Sequence, residues 1–105
     1  MLLARYLNKL FKKDGFILLD TNLKKYIIGK PKKKNPIILK ILDKKLNYKL
    51  LFHPDLYFGE AYADGNIIIE NGSLTDFLEL ALMNIGRKQL NLFSQLLNQL
   101  RRRQK

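Results

Sequence analysis

Glu60 and Asp64 stand four residues apart in GEAYADG. On a helix that spacing puts both carboxylates on one face. Two carboxylates on one face can divide the work of general acid and general base. The competing reading is structural: Asp64-Gly65 has the composition of a helix-ending turn, and Glu60 then bonds a nearby backbone group or tyrosine. His53 is the sole histidine. It precedes a proline, and no G-x-S-x-G frames a serine for it to activate. His53, Asp55 and Glu60 are metal-capable types, but their spacing matches no ligand motif, and the absence of cysteine removes thiolate sites altogether. Neither G-x-G-x-x-G nor G-x-x-x-x-G-K-[ST] occurs, so no recognised phosphate loop is present.

Charge is the stronger signal. The 105-residue chain carries a net charge of +11, unevenly distributed. Residues 1–50 hold 14 Lys/Arg against 3 Asp/Glu, residues 51–86 hold 6 Asp/Glu and no Lys/Arg, and residues 87–105 hold 6 Lys/Arg and no acid. A basic front half and basic tail point to an anionic partner, lipid headgroups or nucleic acid. The bland alternative is solvated lysine in a Lys-, Ile-, Leu- and Asn-rich chain. KPKKKNP at 30–36 could contact phosphates or simply be hydrated, and Arg101 to Arg103 could be a nucleic-acid arm or the basic end of a helix.

The elements that carry these residues can be read from hydrophobic period. Residues 2–13 predict a helix with Leu3, Tyr6, Leu7, Leu10 and Phe11 on one face and Arg5, Asn8, Lys9 and Lys12 opposite. Such a helix suits either an anionic membrane surface or packing on a sheet. The charges lie among and after the apolar residues, unlike a signal peptide. Residues 16–20 and 24–29 predict strands joined at Thr21-Asn22, and 37–42 a third strand. Asp43 is placed to cap a helix running to about Phe52, which His53-Pro54 breaks. Residues 56–63 form a short helix or tight turn, and 66–70 a fourth strand. Ser73 and Asp76 make a capping box for a helix whose face is Leu74, Phe77, Leu78, Ala81, Leu82 and Ile85. A last helix is expected over 88–103 with a narrow seam of Leu90, Phe93, Leu97 and Leu100. The expected fold class is α+β, a small sheet packed by helices. No apolar run approaches the ~20 residues that span a bilayer.

HPDLYFGEAYADGNIIIENGSLTDFLEL resembles the N-terminal region of the cyclopropane-fatty-acyl-phospholipid synthase family, S-adenosylmethionine-dependent methyltransferases. Its P-x-L-x-x-G-E-x-Y-x-D-G core falls on Pro54, Leu56, Gly59, Glu60, Tyr62, Asp64 and Gly65, followed by Leu74, Leu78 and Leu80. The opening MLLARYLNKLF, the hairpin and the D-x-x-L-x-x-x-L stretch are also similar, so the resemblance covers nearly the whole chain. It implies a sterol-carrier-like, lipid-binding N-terminal domain over 1–87 and a linker helix over 88–105 toward a catalytic domain. Gly59, Glu60, Tyr62, Asp64 and Gly65 would be a signature turn rather than a catalytic site. No H-Y-D-x-x-x-x-F-Y or D-x-G-C-G-x-G motif occurs here. The resemblance therefore implies no cofactor in this chain, with S-adenosylmethionine bound only by the full-length family, and no catalytic residue to carry over.

The expectation is a non-catalytic, phospholipid-engaging part of a lipid-modifying enzyme, cytoplasmic and peripheral at the inner membrane face. Candidate headgroup contacts are Arg5, Lys9, Lys12, Lys24, Lys25, Lys32, Lys33 and Lys34. Leu3, Tyr6, Leu7, Leu10 and Phe11 are expected to face lipid or pack the core. Expected partners are an anionic phospholipid surface and a catalytic domain in trans or a second copy bound through the 88–103 helix. The alternatives are a small basic nucleic-acid-binding module and an assembly module.

Overall fold

A computed structural model describes residues 1–85. The expected helix over 88–103, its seam and the boundary at 87–88 lie outside the described residues. Helix α1 (Leu2–Leu10) is followed by strands β1 (Phe16–Leu19), β2 (Lys25–Ile28) and β3 (Ile38–Ile41). Helices α2 (Leu46–Phe52) and α3 (Pro54–Ala63), strand β4 (Ile67–Glu70) and helix α4 (Leu74–Ile85) complete it. The fold is the expected α+β class.

The four strands form one mixed sheet in the order β2-β1-β3-β4. Antiparallel β1–β2 and β3–β4 pairs flank a parallel β1–β3 pair, with Leu18 opposite both Tyr26 and Leu39. Side chains alternate across a sheet. Phe16, Leu18, Ile28, Leu39, Ile41 and Ile67 therefore share one face, and all are buried. The opposite face carries Ile17, Lys25, Ile27, Lys40, Ile68 and Glu70, each exposed or half-buried. The described helices cover the first face only.

Two departures from the sequence reading have local causes. Helix α1 stops at Leu10 rather than near Lys13. Phe11 leaves the helix at φ −95°, ψ 85°, its N–H still donating to Leu7 O. Its ring stacks into a cluster with Phe16 and Phe77 at 5.0 and 6.5 Å between centroids. The amides of Lys13 and Asp14 donate to Asn84 Oδ1 on α4 at 2.8 and 3.2 Å instead of continuing the helix. The second departure is the β1–β2 connection, which takes all of residues 20–24. The Asp20 carboxylate accepts the N–H groups of Asn22 and Lys24, both at 2.8 Å, and rolls the chain into a side-chain-closed turn with Leu23 at φ +63°.

The two helix-start signals differ in outcome: Asp43 does not cap α2, whose N-cap is Lys45 with no side-chain cap bond. Asp43 Oδ1 accepts the Lys45 N–H at 3.0 Å and opens a tight turn, from which the regular part of α2 starts at Leu46. The Ser73–Asp76 box is closed both ways: Ser73 N–H donates to Asp76 Oδ2 at 2.9 Å, and Asp76 N–H to Ser73 Oγ at 3.1 Å. The first of these bonds, then the serine hydroxyl, holds the Asp76 carboxyl below its ordinary range.

Candidate lipid-binding cleft

The helix layer does not close over the sheet. Between α1, α2, α3, α4 and the sheet lies an apolar cleft of about 310 Å³. Its floor is carbon throughout. Phe16 and Leu39 rise from the sheet, while Phe58 and Phe77 stack at 5.3 Å with only 19° between their planes. Phe16 meets Phe77 edge-on at 5.1 Å, so the floor is a rigid aromatic group.

One wall is the apolar stripe of α1. Leu3, Tyr6, Leu7, Leu10 and Phe11, the five residues singled out from period alone, all line the cleft. Leu3 and Phe11 are buried, and Tyr6, Leu7 and Leu10 are half-buried, which puts the latter three toward the opening. The rest of the rim comes from Leu51, Phe52, Pro54 and Ile85. Phe52 lines the cleft while being 75% exposed, so it stands at the mouth. Pro54 occupies the first turn of α3, where its missing N–H costs nothing, and its fixed φ starts the helix directly after α2 ends.

The cleft offers shape and apolar surface, and the Tyr6 hydroxyl is the one titratable side-chain group among its lining residues. No polar or charged residue is buried among the described residues. A cavity of about 150 Å³ admits a benzene-sized guest, so this one has room for roughly a dozen carbon atoms. That is a segment of an alkyl chain, and the volume falls at the low end of the range for small-molecule sites.

Glu60 and Asp64 lie outside it, both exposed at the C-terminal end of α3. The turn they belong to is explained by backbone chemistry. Asp64 is the C-cap, and Gly65 follows at φ +78°. Gly65 N–H donates to Tyr62 O at 3.2 Å and Asn66 N–H to Ala61 O at 2.8 Å. This paired 5→2 and 6→1 closure is the Schellman arrangement. It reverses the chain into β4, where Asn66 O then accepts the Leu42 N–H at 2.9 Å. Gly59 is buried inside α3 and Tyr62 half-buried. His53 is exposed between α2 and α3, its ring 6.1 Å from that of Tyr57. Among the described residues no group of three His, Asp or Glu is placed to hold a metal ion.

The expected headgroup contacts are spread over several surfaces. Arg5 and Lys9 are exposed on α1 and Lys12 just beyond it. Lys24 lies 5.4 Å over the Tyr26 ring, and Lys25 sits on the sheet face away from the helices. Lys32, Lys33 and Lys34 are exposed in the β2–β3 loop, where the Lys32 N–H donates to Asp14 Oδ1 at 3.0 Å and Lys33 acts electrostatically on Asp76.

Sequence reasoning missed three features. Asn8 Oδ1 accepts the Gly29 N–H at 2.7 Å and its Nδ2 donates to Ala4 O at 3.0 Å. Asn84 ties the α1–β1 loop to α4. The third is a row of Lys45, Tyr48, Lys49 and Phe52 on the outside of α2, all exposed. Its i, i+3, i+4, i+7 spacing is legible in KKLNYKLLF, but Leu46 and Leu50 offer a second apolar row, and only the packed structure shows which is inside. No helix among the described residues is long and apolar enough to cross a membrane. No family model matches the chain, and no curated protein matches it.

Proposed function

We propose that this chain is a non-catalytic, phospholipid-engaging domain of the cyclopropane-fatty-acyl-phospholipid synthase type, acting peripherally at the inner face of the cytoplasmic membrane. The observation that carries the reading is the apolar cleft walled by Leu3, Tyr6, Leu7, Leu10 and Phe11. In this reading the cleft takes up part of an acyl chain, and a separate catalytic domain binds S-adenosylmethionine and acts on the lipid. The G-E-x-Y-x-D-G stretch serves the chain reversal from α3 to β4.

The test is titration with a fluorescent, monomeric cis-unsaturated fatty acid. A single saturable site is expected, lost in Ala81→Trp, because Ala81 is a buried wall of the cleft and an indole there fills it. A DNA duplex added in excess should not compete. Absence of saturable binding, or binding untouched by Ala81→Trp, would defeat the reading. Salt-sensitive binding of the duplex in its place would assign the basic charge to nucleic acid.

A further inference from the structure

Helix α2 is apolar on two sides. Leu46 and Leu50 are buried in the core, yet Tyr48 and Phe52 point outward with 65% and 75% of their surface exposed. Packing accounts for the first pair and not the second. Tyr48 and Phe52 are four residues apart, and Lys45 and Lys49 fall between and beside them at the same helical spacing, so the four make one stripe of alternating cation and ring. Helices α1 and α3 pack against α2, and each carries an exposed leucine, Leu2 and Leu56. On α1, Arg5 and Lys9 follow Leu2 at i+3 and i+7.

We infer that this face, centred on Tyr48 and Phe52 with Lys45 and Lys49, is the surface by which the domain docks on an anionic bilayer. The inference rests on the lipid reading above and names its docking side. Phe52 belongs both to the stripe and to the mouth of the cleft. Docking there aims the mouth at the acyl region, with the rings at headgroup depth and the ammonium groups on lipid phosphates. Other occupants fit less well. A two-fold contact between copies through this patch would gather four lysines with no carboxylate among the stripe residues to offset them. Nucleic acid could use rings and cations but gains nothing from an alkyl-sized opening. Lys33, expected from sequence to meet headgroups, lines a separate hollow with Asp76 and Glu79.

The chain contains no tryptophan, so one introduced indole is an unambiguous reporter. Tyr48→Trp, Phe52→Trp and, on the uncovered sheet face, Ile27→Trp are mixed with vesicles of phosphatidylglycerol and phosphatidylcholine in equal parts, and with pure phosphatidylcholine. The expected result is a blue shift and quenching by brominated acyl chains for the reporters at 48 and 52 on anionic vesicles, and neither at 27. Lys45→Glu combined with Lys49→Glu should weaken vesicle binding at least about tenfold and leave fatty-acid titration unchanged. Replacing Lys32, Lys33 and Lys34 by serine should matter less. Reporters at 48 and 52 that stay unshifted while the fatty acid still binds would overturn the docking face and leave the lipid reading intact. Shifts at 48 and 52 without fatty-acid binding would do the reverse. A shift at 27 alone, or displacement of vesicles by a DNA duplex, would also overturn it.

Discussion

Replacing Asn84 by alanine should remove the side-chain hydrogen bonds that tie the chain just after α1 to α4. Its Oδ1 accepts two N–H groups, from Lys13 and Asp14, and its Nδ2 donates to Leu80 O at 2.8 Å. Each such bond contributes about 1 kcal/mol net, and the exposed Lys13 amide regains water, so the loss should be about 2 kcal/mol. Against the ~5–15 kcal/mol typical of a domain, that is a sizeable fraction. In urea the midpoint should fall by about 1.5 M with little change in slope, and the melting temperature by about 10 °C. Asn84→Asp separates the contributions. It keeps the acceptor for both loop amides and loses only the donor, at a further penalty of about 0.5 kcal/mol for a negative charge near the helix C-terminus. Its loss should therefore stay below that of alanine. Hydrogen exchange adds a local readout, since the Lys13 and Asp14 amides should lose protection in the alanine variant before the β1 amides do. A loss under about 0.5 kcal/mol for alanine, or an aspartate variant no better than alanine, would refute the assignment.

Other perturbations test other parts of the molecule. Because the Ser73 bonds depress the Asp76 carboxyl, their stabilisation is complete above its ordinary value of 3.8 and is lost as pH falls through the lower folded value. Acid unfolding of Asp76→Asn, compared with the parent, should lack that component, and identical acid profiles would refute it. Gly29→Ala should cost about 2 kcal/mol or more by chemical denaturation, because φ is +67° and a Cβ would lie 2.5 Å from Phe11 O and 2.7 Å from Asp14 O. Asn47 Oδ1 is buried with no hydrogen-bond partner, so Asn47→Leu should raise stability by about 1 kcal/mol in the same assay. Glu60→Gln should change unfolding free energy by less than about 0.5 kcal/mol, since the carboxylate is exposed and the turn closes through backbone bonds.

Much of the fold was legible because short-range chemistry dictates it. The α1 stripe, the Ser73–Asp76 box and the turn at Gly65 each depend on residues within a few positions of one another, and each forms as its pattern requires. Strand order is different. FILL is apolar throughout and ILKI has only Lys40 to mark a face, and neither carries information about the neighbour, so the parallel β1–β3 pairing emerges only from the folded chain. Asn8 reads only as part of the polar face of α1, and Asn84 carries no signal, because their partners lie at residue 29 and at residues 13 and 14. The cleft was half legible: the α1 wall follows from period, whereas Phe16, Leu39, Phe58 and Phe77 look like ordinary core residues until the helices are seen to stand apart.

The amide of Asn8 has a consequence beyond holding α1. Strand β2 is the last strand of the sheet, and along its outer side the free groups alternate with those bonded to β1. Gly29 N–H and Ile27 O both meet Asn8, the first at 2.7 Å and the second at 3.5 Å. One side-chain amide thus stands where the peptide group of a fifth strand would sit, and it blocks the template that an open edge presents to other chains. With Ile27 beside it and 62% exposed, an unblocked β2 would be the natural starting point for growth of ordered aggregates. One of the two edges of the sheet is thus covered by a single asparagine, placed on a different element and 19 and 21 residues upstream of the groups it meets.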